Sequence, residues 1–325
     1  MTGRTAKRIL GLIAILIPTL VFSQGYPNRP VRMIVPFSPG GASDFVARIM
    51  QPRLGELLGQ PIVVENRAGA AGNLGVEVAA KSPPDGYTIF LGNIGTIAIN
   101  PGVFANLAVS PVRDFIAVTQ VVDLPSLLVA HPTLPANNLK ELVAYAKANP
   151  GKLNYASPGS GSLDRLEMEI LRNREKLSMV HVPYKGGAGP AIAGLMGGET
   201  HLMFATAASS MGPVKGGRIK ALAVTARKRL DALPGTQTVV EAGYPDLVAS
   251  SWQGIFVPAG TPKPIVERLH AVVLKTMATP DVVTRLAGGG VEPVTTPTSE
   301  AFGKYVAAET VRWARIAKEA NATPD

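Results

Sequence analysis

The feature that most restricts this chain is a short apolar run ended by proline and glycine and followed at once by a helical pattern, a unit that recurs along the sequence. Its first copy spans residues 31–50, VRMIVPFSPGGASDFVARIM. Val31, Met33, Ile34 and Val35 make the kind of run that a parallel sheet buries on both faces, and Pro36 and Pro39 forbid its extension. Gly40 and Gly41 let the backbone turn, and Ser43 or Asp44 can cap a helix in which Phe45, Val46, Ile49 and Met50 recur at helical spacing. Unpaired N–H groups then face the space beyond the strand's carboxyl end, where an anion fits; a plain βα connection with no ligand is the alternative. Pro52, inside the helical pattern, predicts a kink or an early stop.

The alternation continues. Residues 61–65 read as a second strand, 66–75 (NRAGAAGNLG) as a glycine-rich loop entering a helix, and 87–91 as a third strand ending at Gly92-Asn93. Residues 115–131, FIAVTQVVDLPSLLVAH, form a long strand-like stretch broken at Leu124-Pro125, read as a crossing between domains. A strand at 153–156 delivers a second cradle, Ser157-Pro158-Gly159-Ser160-Gly161-Ser162, with Ser160 or Ser162 as helix cap; an ordinary serine-rich turn is the other reading. Further strands fall at 179–182, 201–204 and 219–225, the second entered by a helix closing on Gly197-Gly198 and leading into 205–209. WQGIFV at 252–257 is the return crossing, and the last helix, from 297 to about 320, places Phe302, Val306, Trp313 and Ile316 on one face to cover the sheet.

Arg4, Lys7 and Arg8 precede an apolar run at 9–22 that turns polar at Ser23, the pattern of a secretory signal peptide cleaved near Gln24; an uncleaved anchor is the alternative. Loss of those three basic residues takes the formal charge from +9 to +6, a field that favours an anionic solute. The basic residues are otherwise dispersed, which argues against nucleic acid. With no cysteine, disulfides, thiolate metal sites and thiol nucleophiles are excluded. Gly-x-Ser-x-Gly and nucleotide-binding glycine motifs are absent, and His131, His181, His201 and His270 sit on separate elements, so neither metal, cofactor nor catalytic group is expected.

At 325 residues, two domains are expected. The strings VPFSPGGASD, VVENRAGAAGNLG, PDGYTIFLGN, LNYASPGSGS, VHVPYKGG, IKALAVTA and WQGIFVPAGTPKP, in this order, make the sequence resemble the substrate-binding proteins of tripartite tricarboxylate transporters, the Bug family. The resemblance implies an α/β, two-lobed periplasmic binding protein fold of the type with two crossing strands, each lobe a mixed, mostly parallel sheet flanked by helices. It implies a signal peptide at 1–23, one lobe from 24–122 with 246–325, and the other from 123–245. It implies a monomer that closes on a small carboxylate for membrane transporter subunits. Carried over, the ligand loops hold Phe37, Ser38, Gly40, Gly41, Ala42, Ser43 and Asp44; Gly92, Asn93 and Thr96; Ser157, Gly159, Ser160, Gly161 and Ser162; and Ala205 and Thr206. Two departures stand out: Ala205-Thr206 replaces an acid common after this strand, which argues against amino-acid ligands, and Asp164-Arg165 replaces a histidine. Arg165 either meets a distal carboxylate or is a solvated helix charge. Three readings follow: solute receptor, ligand sensor for a signalling partner, and secreted enzyme using Ser160 or Ser162.

Overall fold

The computed structural model describes residues 25–159 and 161–319, so the signal-peptide expectation and Ser160 lie outside the described residues. The chain begins with β1 (Val31–Val35), α1 (Ala42–Leu58), β2 (Ile62–Asn66), α2 (Asn73–Ala80) and β3 (Thr88–Asn93). A π-helical turn (Gly95–Ile99) runs into α3 (Asn100–Val103), and α4 (Pro111–Asp114) leads to β4 (Phe115–Ala130). Next come α5 (Leu139–Ala148), β5 (Leu153–Ser157), α6 (Leu163–Glu175), β6 (Met179–Pro183), α7 (Ala188–Met196), β7 (Leu202–Thr206), α8 (Ala207–Lys215) and β8 (Lys220–Val224). The return is β9 (Ser250–Pro258), followed by α9 (Lys263–Met277), α10 (Pro280–Gly288), β10 (Glu292–Pro293) and α11 (Ser299–Glu319).

Strands β2, β1 and β3 pair in parallel, and β9 adds antiparallel to β3. β1 is buried on both faces, as its composition requires: Val31, Met33 and Val35 pack with α1 and α9, while Ile34 points to the opposite side with α2 and α11. A second group joins β5, β6 and β7 with β8.

β4 links the two groups. Up to Pro125↔Ser250 it pairs with β9, and from Ser126↔Thr206 onward it pairs with β7 and β8. The strand is not broken at Leu124-Pro125, as its sequence suggested; it changes partners there. Proline has no N–H to give a ladder, which suits it to the point where one set of pairings ends and the next begins.

Pro52 likewise stops nothing, since α1 runs through it to Leu58. Its missing hydrogen bond falls mid-helix, where the packed residues Ile49, Met50 and Leu54, all at most 5% exposed, hold the turn in place. On α11, Phe302, Val306 and Trp313 are buried as the spacing predicts. Glu309 joins the same face, and its carboxylate accepts from the indole N–H groups of both Trp252 (3.2 Å) and Trp313 (2.9 Å). That pairing lets a carboxylate sit at 7% exposure in an otherwise apolar seam.

Candidate functional site

The N-terminal turns of three helices line one small cavity of about 60 Å³. From α1 come Gly41, Ala42 and Ser43; from α6 Ser162, Leu163 and Asp164; from α8 Thr206 and Ser209. Helix N termini carry unpaired N–H donors and a partial positive charge, so this wall suits an anion although none of its described side chains is basic.

Each terminus is built differently. Gly41 occupies the N-cap of α1 in extended backbone, and no side chain caps the helix, so neither Ser43 nor Asp44 does what its position suggested. Asp44 instead turns back from the cavity: its carboxylate accepts from the Gly40 N–H (3.1 Å), Arg48 Nε (3.0 Å) and Asn66 Nδ2 (3.1 Å). Gly40 sits at φ +87, a region that a side chain disfavours. On α6, Ser162 is the expected cap: its Oγ accepts from the Arg165 N–H at 3.2 Å and donates to the Gly159 carbonyl at 2.8 Å. Thr206 precedes α8, and its hydroxyl meets that of Ser209 at 2.8 Å.

Of the residues expected at the site, Phe37, Gly41, Ala42, Ser43, Asn93, Gly161, Ser162 and Thr206 line the cavity. The others do not. Ser38 donates its N–H to the Gly186 carbonyl (2.9 Å), closing the β1–α1 loop onto the β6–α7 loop. Gly40 and Asp44 form the turn just described. Gly92 packs against Phe256 and Ile97, where a Cβ would come within 2.9 Å of each. Thr96 caps the turn from behind, its N–H bonded to Asn93 Oδ1 at 2.9 Å. Ala205 is a core residue on the buried face of β7. Gly159 lines a separate, neighbouring hollow with Tyr184 and Lys185. Arg165 lies outside the lining and is only 8% exposed, so it is neither the solvated charge nor the cavity contact that its sequence position allowed.

Ser157 is fully buried beneath the wall, its Oγ 2.6 Å from His181 Nε2 and accepting from the Gly159 N–H at 3.2 Å. A serine beside a histidine is the pairing a nucleophile needs, but this one has no face on the cavity, and the bonds hold the loop's shape.

Sequence reasoning missed other residues of the wall: Asp164 was noted only as a departure, and Ala71, Ala188, Ser251 and Gln253 were not named as site residues. Ser251 and Gln253 alternate with the buried Trp252 on the crossing strand β9, and period two alone could have flagged them. Gln253 is 1% exposed, and its Oε1 has no partner among the described residues. Asp164 is 6% exposed, its closest partner Ser126 Oγ at 3.4 Å. Burial pushes its carboxyl up to about 7. Glu167, one turn deeper, is raised well above its ordinary value by burial and then by the charge of Asp164; the Ser126 and Thr225 hydroxyls lie near it without closing a hydrogen bond.

The chain as a whole has counterparts among known proteins. The model of the tripartite tricarboxylate transporter family receptor matches residues 46–322. The periplasmic binding protein BugD is 34% identical, with a TM-score of 0.87 over 91% of this chain and 99% of its own. Rpa4515 of R. palustris with adipate is 33% identical, with a TM-score of 0.88 over 92% of this chain and 99% of its own. MatC from Rhodopseudomonas palustris with bound malate is 34% identical, with a TM-score of 0.84 over 90% and 99%. The architecture of mixed sheets flanked by helices is that of these periplasmic binding proteins. The chain belongs to the tripartite tricarboxylate transporter family of receptors, and it is similar to BugD over most of its length.

Proposed function

We propose that this protein is a periplasmic solute receptor that captures a small carboxylate between two lobes and delivers it to the membrane subunits of a tripartite tricarboxylate-type transporter. The observation that carries the reading is the convergence of the α1, α6 and α8 N termini on one enclosed cavity without a basic side chain. One helix terminus contributes on the order of 1 kcal/mol to an anion, too little for capture after the entropy of association; several acting together suffice. Similar receptors hold adipate and malate, both dicarboxylates, which supports the ligand class.

The lobes are 24–122 with 246–325, and 123–245, joined by the crossing strands β4 and β9; the change of partners at Pro125 and Ser126 supports this division. Ligand enters an open form, and closure brings the second cradle to the first. Among the described residues of the wall there is no histidine, lysine or cysteine, which supports a receptor rather than an enzyme. Among the described residues no helix is long and apolar enough to cross a membrane. The large apolar residues at the surface, such as Val63, Val180 and Val311, are scattered, which supports a monomer.

The test is a thermal-shift and calorimetric screen of linear C4 to C6 dicarboxylates, tricarboxylates and amino acids, with the solute recovered intact and assayed by NMR. Saturable stabilisation by a carboxylate without turnover is expected. Turnover, or no response to any carboxylate, rejects the reading.

A further inference from the structure

Among the described residues that line the cavity, one has an ionisable side chain, and it is an acid. Asp164 stands in the first turn of α6 and lines the cavity, so a carboxylate ligand held there would bring a second negative charge beside it. Two like charges enclosed together are strongly unfavourable, so one of them must be neutral or the ligand must carry a cation there.

The groups around Asp164 decide between these. On its own helix, Glu167 lies one turn below, also buried and acidic, while the neighbouring Arg165 acts on Tyr155 rather than on Asp164. β4 presents the hydroxyl of Ser126, and the segment after β8 presents Thr225. α8 presents Thr206 and Ser209, β9 presents Ser251 and Gln253, and α1 presents Ser43. No base faces Asp164 from any of them. The α6 terminus favours an anion, but a terminal dipole is weak against the desolvation of two carboxyls stacked within one turn. Burial accordingly pushes Asp164 up to about 7, with Glu167 raised as well.

Building on the receptor reading above, we propose that Asp164 binds the ligand as a neutral carboxylic acid, donating its O–H to a ligand oxygen, so that capture of the carboxylate is coupled to retention of a proton. A neutral acid can give one hydrogen bond where its anion would only repel. The cavity therefore selects an oxygen-rich solute without an ammonium group at this position. Gln253 Oε1, the buried acceptor in the same wall, gives a hydroxyl or protonated oxygen of the solute a place to donate.

The experiment is calorimetry with adipate and malate on the folded wild type and on Asp164→Asn from pH 5.5 to 8.5, in pairs of buffers with different ionisation enthalpies. Circular dichroism at each pH confirms that both remain folded. The wild type is expected to hold its affinity below neutrality and to lose roughly tenfold per pH unit well above it, with fractional proton uptake near pH 7.5. Asp164→Asn, whose amide donates at every pH, is expected to bind within about threefold of the wild type at pH 6 and to lose both the slope and the proton uptake. Binding that is flat with pH in the wild type overturns the coupling and leaves the receptor reading standing. Tighter binding at high pH, or an amino acid bound by the wild type and lost in Asp164→Asn, shows a charged Asp164 facing a cation and also overturns it. Absence of binding to any carboxylate at pH 6 overturns both.

Discussion

Asp44 stands in the first turn of α1 and Asp164 in the first turn of α6, each beside a glycine-containing loop and each about 5% exposed. Four residues on, α1 carries Arg48, which reaches back to Asp44 at 3.0 Å, whereas α6 carries Met168, fully buried in the core. With Arg48, Asn66 and the Gly40 N–H as partners, the first acid is satisfied and turned away, and the N–H groups of α1 are left to the cavity. The second acid has one long contact to Ser126 and stays in the wall. Equivalent positions in two similar units thus serve opposite purposes. One shapes the loop; the other lines the cavity.

The largest expected effect tests whether the two cradles must meet. A Cβ at Gly161 would lie 1.5 Å from Asn100 Oδ1, which belongs to the segment following β3. The objection to a side chain is this close approach by Asn100. Gly161→Val is expected to keep its fold and lose about 3 kcal/mol or more of binding, over roughly 100-fold. Calorimetry with the dicarboxylate found in the screen reads it, and wild-type affinity in the variant would mean that the cavity need not close.

Asp44→Ala probes the structural acid. It strands the Gly40 N–H and two side-chain donors, and about 2–3 kcal/mol of folding stability is expected to go, read as a lower urea midpoint with unchanged m. A variant as stable as the wild type would place Asp44 among the dispensable surface charges. The acid in the wall should show the reverse behaviour with pH. Folding raises the Asp164 carboxyl, so the native chain gains stability in full below the unfolded value near 4 and loses it as pH rises toward 7. The ligand-free wild type should therefore fall in melting temperature between pH 5 and 7.5 by more than Asp164→Asn does; parallel curves would show that Asp164 is no less comfortable charged than neutral.

Smaller effects sharpen the same contrast. Ser162→Ala removes the cap of α6 and its bond to Gly159, for about 1 kcal/mol in stability and a comparable loss in affinity. A change in melting temperature alone would separate the cap from the site. Gly189→Ala, in the first turn of α7, places a Cβ 2.9 Å from the Pro39 carbonyl. It should weaken binding by less than about 1 kcal/mol, mostly through faster dissociation, without touching the cavity wall. An unchanged off-rate in stopped-flow release would show that the β6–α7 loop does not help hold the closed form.

The strand-loop-helix units, the long crossing strand, the buried face of α11 and the Ser162 cap were all legible in the sequence, because local pattern and backbone chemistry determine them. Val31, Met33, Ile34 and Val35 can be satisfied only by a sheet covered on both faces, and Gly40 only by a backbone that needs no side chain. Which groups would face the cavity was another matter. Asp44 and Asp164 look alike in sequence, and the partners that separate them, Asn66 and the Gly40 N–H for one and Ser126 and Glu167 for the other, come together only when distant segments pack. The alternation of Ser251 and Gln253 around Trp252 marks one side of β9 as polar, but only the packed fold shows that these two residues line the cavity. Pro125 reads as a break until β4 is seen to exchange one set of neighbours for another. Sequence alone determines the elements because hydrogen bonding and burial act over a few residues; the charge state and direction of a side chain in the wall depend on the desolvation and partners that only the assembled fold supplies.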